Sequence, residues 1–164
     1  MPNDSPDYDL DALAASCRAH RDAGRRVVLC HGCFDLLHVG HVRYLQAAKQ
    51  LGDVLLVTVT PDRFVGKGPG RPAFPEAQRA EMLAALGCVE RVALNRWPTA
   101  VEMLERVQPD VYAKGAEYAE AAQDPNTPVG QERATVEAHG GQLALIDTEK
   151  FSSTEILSRL ASRP

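Results

Sequence analysis

Two histidines three residues apart stand at the start of an expected helix. A spacing of three places His38 and His41 on one helix face, one turn apart. The unpaired N–H groups and partial positive charge of a helix N-terminus favour anions. Gly40 between the histidines, and Gly32 upstream, remove side chains where an anion would approach. The pattern therefore predicts a phosphate-binding site at this helix start.

The same histidines could instead share a zinc ion with Cys30 and Cys33. The spacing C-x2-C-x4-H-x2-H contains two short ligand pairs of the kind that zinc sites use. Cys30, however, closes an apolar run and is expected to point into the core, and His41 lies inside the expected helix. We therefore favour the phosphate site over zinc and over a redox C-x-x-C pair. Neither a Walker-type loop nor a G-x-G-x-x-G fingerprint occurs in the sequence.

Hydrophobic periodicity predicts alternating strands and helices. Short apolar runs at 26–30, 53–60, 91–94, 110–113 and 143–146 are typical of buried parallel strands. Helical spacing and capping residues predict helices over 9–22, 39–51, 75–86, 98–107, 131–139 and 153–160, with 115–130 as an irregular excursion. This alternation predicts an α/β fold with a five-stranded parallel sheet and helices on both faces. In such a sheet ligands bind at the carboxyl ends of the strands, here after Cys30, Thr60, Ala113 and Ile146.

The composition is that of an ordinary globular domain. Of 164 residues, 45% are apolar and 24% are charged, and the net charge is −4, which excludes disordered, collagen-like and coiled-coil chains. No run approaches the roughly 18 apolar residues that span a bilayer, and the acidic start does not resemble a signal peptide. We expect a cytoplasmic protein with neither membrane nor nucleic-acid partners. Length and pattern predict a flexible tail over 1–8 and a single domain over 9–164.

The stretch from Gly32 to His41, G-x-F-D-L-L-H-x-G-H, resembles the signature of the H-x-G-H nucleotidyltransferase superfamily, which includes the cytidylyltransferases. The basic loop at 67–72, followed by Arg79 on a helix, is similar to that family's basic loop and arginine. The stretch 111–118, V-Y-A-K-G-A-E-Y, looks like a motif of the heptose 1-phosphate adenylyltransferases, or ADP-heptose synthases. The stretch 151–156, F-S-S-T-E-I, resembles the family's closing motif at a helix N-terminus.

The resemblance implies a Rossmann-like enzyme that moves a nucleoside monophosphate from a triphosphate, ATP or CTP with Mg²⁺, to a phosphorylated acceptor. An acceptor phosphate is already ionised at neutral pH, so such an enzyme needs no general base and must instead position two anions and stabilise developing charge. The implied catalytic residues are His38, His41, Lys67 and Arg79. The implied nucleotide-binding residues are Gly32, Phe34, Asp35, Gly40, Lys114, Gly115, Glu117, Ser152, Ser153 and Thr154. No metal ligands from the protein are expected, and relatives imply a homodimer.

The best acceptor by resemblance is a sugar 1-phosphate of the heptose type with ATP as donor, because of Lys114, Gly115, Glu117 and Tyr118. The alternatives are a CTP-dependent enzyme acting on glycerol 3-phosphate or another small phosphorylated alcohol, and a nucleotide-binding module without turnover. Three departures from the family pattern bear on the acceptor. His31 replaces a common Thr or Asn, the stretch 62–67 is shorter, and the stretch 115–130 is longer.

Overall fold

The computed structural model describes residues 8–148 and 153–161. Five parallel strands form one sheet: β1 Val27–Gly32, β2 Val54–Val59, β3 Arg91–Leu94, β4 Val111–Gly115 and β5 Gln142–Ile146. The helices are α1 Leu10–Asp22, α2 Val39–Lys49, α3 Glu76–Ala84, α4 Val101–Val107, α5 Pro128–Ala138 and α6 Ser153–Ala161. Single 3₁₀ turns lie at Asp62–Phe64, Ala116–Tyr118 and Ala121–Gln123. The predicted fold class is confirmed.

Strand β1 shows why the sheet is buried on both faces. Its side chains alternate, so that Val27 and Leu29 enter one hydrophobic core while Val28 and Cys30 enter the other. The first core also takes the apolar faces of α1 and α4, and the second takes those of α2 and α3. A strand covered on both faces needs a continuous apolar run, and that is the pattern from which the strands were predicted.

The strand order creates a crevice beside β1. The order in the sheet is β3-β2-β1-β4-β5, so the chain moves outward in one direction through β2 and β3 and then crosses to the other side of β1. The loops that leave β1 and β4 therefore run to opposite faces of the sheet. The crevice between these two carboxyl ends is where a ligand of such a fold binds.

Helix α5 begins earlier than the sequence pattern predicts. Thr127 caps it by accepting a hydrogen bond from the N–H of Gly130 at 3.0 Å, and Pro128 occupies its first turn. The expected start at residue 131 misses this cap. The difference matters because the extra residues bring Pro128 and Val129 to the crevice, beside Glu132.

Residues 1–7 of the expected tail lie outside the described part of the chain, but Tyr8 has a defined place. Its carbonyl oxygen accepts a hydrogen bond from the N–H of Leu94 at 3.0 Å, at the end of β3, and its ring packs against the core. Among the described residues, no helix combines the length and the hydropathy needed to cross a membrane.

Candidate active site

A cleft of about 720 Å³ opens at the carboxyl ends of β1 and β4. Its walls come from the loop between β1 and α2, the first turn of α2, the loop after β2, the segment after β4, and the starts of α5 and α6. Nine of the predicted site residues line it: Gly32, Phe34, His38, Gly40, His41, Lys67, Lys114, Gly115 and Glu117. The structure therefore gathers residues that lie up to 85 positions apart in the sequence (117 − 32) around one cavity.

The loop between β1 and α2 has a tight path. Phe34 and Leu36 adopt left-handed backbone angles, with φ of 50° and 51°, which side-chain-bearing residues rarely adopt. The turn brings the Phe34 ring back over Gly32, where an added Cβ would lie 3.2 Å from that ring. A side chain at position 32 would therefore require the Phe34 ring to shift by a few tenths of an ångström. The Phe34 and His41 rings then make an edge-to-face contact, with centroids 5.6 Å apart.

His38 and His41 form a reciprocal cap at the N-terminus of α2. The Nδ1 of His38 accepts a hydrogen bond from the N–H of Gly40 at 3.1 Å, and the Nδ1 of His41 accepts one from the N–H of His38 at 3.4 Å. The two rings stack with centroids 3.9 Å apart. Because Nδ1 is an acceptor in both rings, each neutral imidazole carries its proton on Nε2. Both histidines line the cleft, as predicted.

The electrostatic setting keeps this pair neutral. Burial, together with the neighbouring His38 and Lys67, lowers the pKa of His41 to about 4. Burial and Lys67 also lower the pKa of His38. Two neutral imidazoles can stack where two imidazolium ions would repel each other. The pair can therefore donate hydrogen bonds to an anion, but it does not bring positive charge of its own.

Asp35 lies behind the cleft wall rather than in it. Its carboxylate is 1% exposed and accepts hydrogen bonds from Arg71 Nε at 2.7 Å and from the N–H groups of Ala73 and Phe74. Burial alone would raise the pKa of Asp35, but these hydrogen bonds outweigh it and lower that pKa. Asp35 thus holds the end of the loop that carries Lys67. The prediction of direct nucleotide binding by Asp35 is therefore corrected to a positioning contact.

Arg79 also differs from its predicted role. Its guanidinium is completely buried and donates to the carbonyl oxygens of Cys33, Thr60 and Phe74, the last two at 2.8 and 3.0 Å. It also pairs with Asp62 Oδ1 at 2.7 Å. These contacts tie together the loops after β1 and β2 and the start of α3. Because its donors are taken up by the protein, Arg79 is a positioning residue rather than a substrate-binding one.

The segment after β4 supplies the opposite wall. Lys114, at the end of β4, is 9% exposed, and Glu117 follows in the next 3₁₀ turn. An added Cβ on Gly115 would lie 2.1 Å from the Glu117 carboxylate. The glycine therefore leaves room for that carboxylate to fold back over the strand end. Both charged side chains line the cleft, and their predicted nucleotide-binding role stays a prediction.

The start of α6 reaches the cleft through Glu155. Of the predicted phosphate-binding residues here, Ser152 lies outside the described residues, Ser153 begins the helix, and Thr154 is exposed in its first turn. Their predicted roles stay predictions.

Sequence reasoning missed several residues of the cleft: His31, Tyr44, Thr60 and Glu132. Glu132 could have been found, because it shares the helical face of Val129 and Val136, at spacings of three and four, and is buried with them. His31 lies at the cleft floor, with Nδ1 3.0 Å from Thr58 Oγ1. Burial, with Lys114 nearby, lowers the pKa of His31 to about 3, so it is a neutral group there.

The metal expectations can be tested against the side chains present. Across residues 8–148 and 153–161 no group of three or more His, Cys, Asp or Glu side chains is arranged to hold a metal ion. The zinc alternative fails on this geometry, since Cys30 is fully buried in the core and does not line the cleft. These residues likewise offer no carboxylate cage for Mg²⁺.

Comparison with known proteins agrees with this geometry. The cytidylyltransferase-like family matches residues 29–159. The chain belongs to this family. The resemblance to the nucleotidyltransferases, and the enzyme class predicted from it, are thereby confirmed.

Two kinds of relative stand out. The bifunctional protein HldE of Geotalea uraniireducens is 42% identical over 161 residues, which are 96% of this chain and 31% of that protein. HldE of Streptomyces coelicolor is 44% identical over 156 residues, which are 93% of this chain and 32% of that protein. The chain thus spans about a third of the length of these curated relatives. A solved structure, the lipopolysaccharide core biosynthesis protein from Thermoplasma volcanium, superimposes with a TM-score of 0.60 at 27% identity, covering 79% of this chain and 100% of its own.

Proposed function

We propose that this domain transfers a nucleoside monophosphate from ATP to a sugar 1-phosphate of the heptose type and releases pyrophosphate. The observation that carries the proposal is the pair of neutral, stacked imidazoles at the N-terminus of α2, in one cleft with Lys67 and Lys114. The sugar acceptor is supported by the stretch Lys114–Tyr118 on the cleft wall and by the similarity to a lipopolysaccharide core biosynthesis protein.

In the proposed reaction an oxygen of the acceptor phosphate attacks the α-phosphorus, and the bond from that phosphorus to the bridging oxygen breaks. The electron pair leaves with pyrophosphate, and no proton has to move. The Nε2–H groups of His38 and His41 donate to the triphosphate oxygens on which charge grows. Lys67 adds positive charge from its loop, whose end Asp35 and Arg79 hold in place. This is catalysis by positioning and fixed dipoles, which suits a site without a nucleophile–base pair.

The proposal includes three further features that follow from the family resemblance. Mg²⁺ arrives with the triphosphate, coordinated by phosphate oxygens and water. The enzyme works in the cytoplasm, where nucleoside triphosphates are available. It is a homodimer, which sedimentation equilibrium of the purified chain tests directly.

Pyrophosphate release tests the function. ATP, CTP, GTP and UTP are each offered with Mg²⁺ against a panel of sugar 1-phosphates and polyol phosphates. Activity with ATP and a heptose 1-phosphate is the expected result. Activity with CTP and glycerol 3-phosphate would support the proposed mechanism but contradict the proposed substrates. No turnover of any pair, together with tight triphosphate binding, would favour the non-catalytic module.

The histidine pair is tested with His38→Asn, because Asn also caps helices well and keeps α2 intact. Removing one preorganised donor is expected to lower kcat by about 10² to 10³, while the triphosphate Kd changes by less than about threefold. His20→Ala is the matched control, since His20 lies on α1 with an exposed contact to Arg25. Equal losses of kcat and of triphosphate affinity in His38→Asn would contradict the catalytic assignment.

A further inference from the structure

A buried ion pair on the cleft wall takes no part in the bond-breaking step described above. Glu132, from the second turn of α5, is 6% exposed, and Lys114, at the end of β4, is 9% exposed. Lys114 Nζ lies 3.4 Å from Glu132 Oε2. The same oxygen accepts a hydrogen bond from the Tyr112 hydroxyl at 3.0 Å. Burying a carboxylate is costly even when it is paired, and an apolar residue at this helix position would extend the core instead.

The pair retains unused hydrogen-bonding capacity. Both contacts to Glu132 are made at Oε2, and within the described ranges no hydrogen bond is made to its Oε1. An ionised carboxylate has about four acceptor positions and an ammonium has three donors. Both residues line the cleft, so an acceptor and a donor stand side by side at its wall. The Lys114 ammonium also lies 4.8 Å from the centroid of the Tyr118 ring, which is 40% exposed and borders the same cleft.

The chemistry of the pair excludes a phosphate as its partner and favours hydroxyl groups. A carboxylate repels a phosphate, whereas it accepts readily from a neutral hydroxyl. Two adjacent hydroxyls of a sugar ring match the pair, because one can donate to Glu132 while the other accepts from Lys114. An exposed aromatic ring beside the pair offers an apolar surface to the face of the sugar.

We infer that Glu132, Lys114 and Tyr118 form a sugar-ring subsite, which selects a sugar-bearing ligand over a bare phosphate. Adjacent hydroxyls occur on the acceptor sugar and on the ribose of the nucleotide. The inference rests on the proposed function, because that function supplies the two candidate rings, the acceptor sugar and the ribose. Binding of either ring at the subsite does not require turnover. It therefore has a test separate from pyrophosphate release.

Isothermal titration calorimetry with the full chain provides that test. In the acceptor arm, heptose 1-phosphate and inorganic phosphate are titrated into the wild type and Glu132→Gln. In the ribose arm, a non-hydrolysable ATP analogue is compared with its 2′,3′-dideoxy counterpart. The wild type is expected to prefer the hydroxyl-bearing ligand by about tenfold or more in at least one arm, as one hydrogen bond to a charged group predicts. In Glu132→Gln that preference is expected to fall below about threefold.

Glu137→Gln is the matched control. It removes the same charge from the same helix, where Glu137 forms an exposed pair with Arg133 at 2.8 Å, and it should retain the wild-type preference. Tyr118→Leu is a second test, needed in case Glu132→Gln does not fold. The Tyr118 ring is partly exposed, so its replacement should disturb the fold less. It should weaken binding of the sugar-bearing ligand several-fold and leave inorganic phosphate unchanged. Thermal unfolding of each variant confirms that it is folded.

The outcomes separate this inference from the proposed function. Loss of preference in the acceptor arm places the acceptor sugar on the pair, and loss in the ribose arm places the nucleotide there; both support the subsite. A wild type without preference in either arm, or variants that keep the full preference, overturns it, even if pyrophosphate is released. Conversely, the preference could be lost in Glu132→Gln while no nucleotide and acceptor pair releases pyrophosphate. That result would reject the proposed function and still support the subsite.

Discussion

Replacing Arg79 with Met distinguishes a positioning residue from a catalytic one. Methionine retains most of the apolar volume of the side chain but has no hydrogen-bond donor. The change leaves three carbonyl oxygens, those of Cys33, Thr60 and Phe74, without their buried partner, and it breaks the pair with Asp62. These carbonyls belong to the loops that frame the cleft. The expected primary effect is therefore loss of stability.

The magnitude follows from the contacts. A hydrogen bond to a charged group contributes about 1.5–3 kcal/mol, and breaking a buried ion pair by removing one partner costs about 3–5 kcal/mol. The Asp62 carboxylate is 41% exposed, so water replaces much of its loss. We expect a loss of about 4 kcal/mol in the free energy of unfolding, which corresponds to a fall in Tm of about 8–16 °C for a domain of this size.

Urea unfolding followed by circular dichroism measures this loss, and initial rates are compared at a temperature where the variant is still folded. Arg133→Met is the matched control: its exposed pair with Glu137 on α5 predicts a change below about 0.5 kcal/mol. Stability of Arg79→Met within about 1 kcal/mol of the wild type, with kcat abolished, would refute the reasoning. That result would mean that the guanidinium acts on the substrate.

Three other predictions concern residues around the cleft. The free energy of unfolding should fall as pH drops below about 6.5. Burial lowers the pKa of His31 to about 3 and that of His41 to about 4, so the unfolded chain binds more protons than the folded chain in this pH range. Urea unfolding at pH 7.5, 6.5 and 5.5 checks this, and His31→Asn should reduce the dependence of stability on pH. Asp35→Ala should release the loop that carries Lys67, seen as faster cleavage there in limited proteolysis and a raised KM for the triphosphate; an unchanged cleavage rate would contradict it. Gly115→Ala should displace the Glu117 carboxylate, changing KM with a stability loss below about 1 kcal/mol, since a flexible side chain can move away; unaltered kinetics would show that Glu117 has no part in binding.

The fold and the histidine loop were predictable because their signals are local. A strand buried on both faces must be apolar along its length, and β2, Val54–Val59, is buried at every position. A helix cap depends on residues three apart, so the spacing of His38 and His41 already contains the geometry of their contact. Sequence alternation of this kind also determines that loops after the strands meet at one edge of the sheet.

The rest of the site depends on contacts that no local pattern records. Arg79 is predicted as a substrate ligand because a lone arginine on a helix after a basic loop carries no sign of the three carbonyls that converge on it. Glu132 lies inside the helix predicted over 131–139, but that helix was started after the Thr127 cap and left out Val129, the residue that marks its face as buried. In both cases a charged side chain is buried, and only the assembled fold identifies its partners.

The neutral state of the histidine pair fits the demands of the proposed reaction. A site that must bind a triphosphate and then release pyrophosphate gains little from permanent positive charge on its rigid parts, since that charge would hold the product as tightly as the substrate. Here the rigid helix start presents neutral donors, the charge of Lys114 on β4 is offset by its ion pair with Glu132, and Lys67 supplies positive charge from an exposed loop. A donor fixed on a helix stabilises charge as it develops without having to reorganise. Neutral donors fixed on the helix, with a solvent-exposed lysine on the loop, therefore favour turnover over tight product binding.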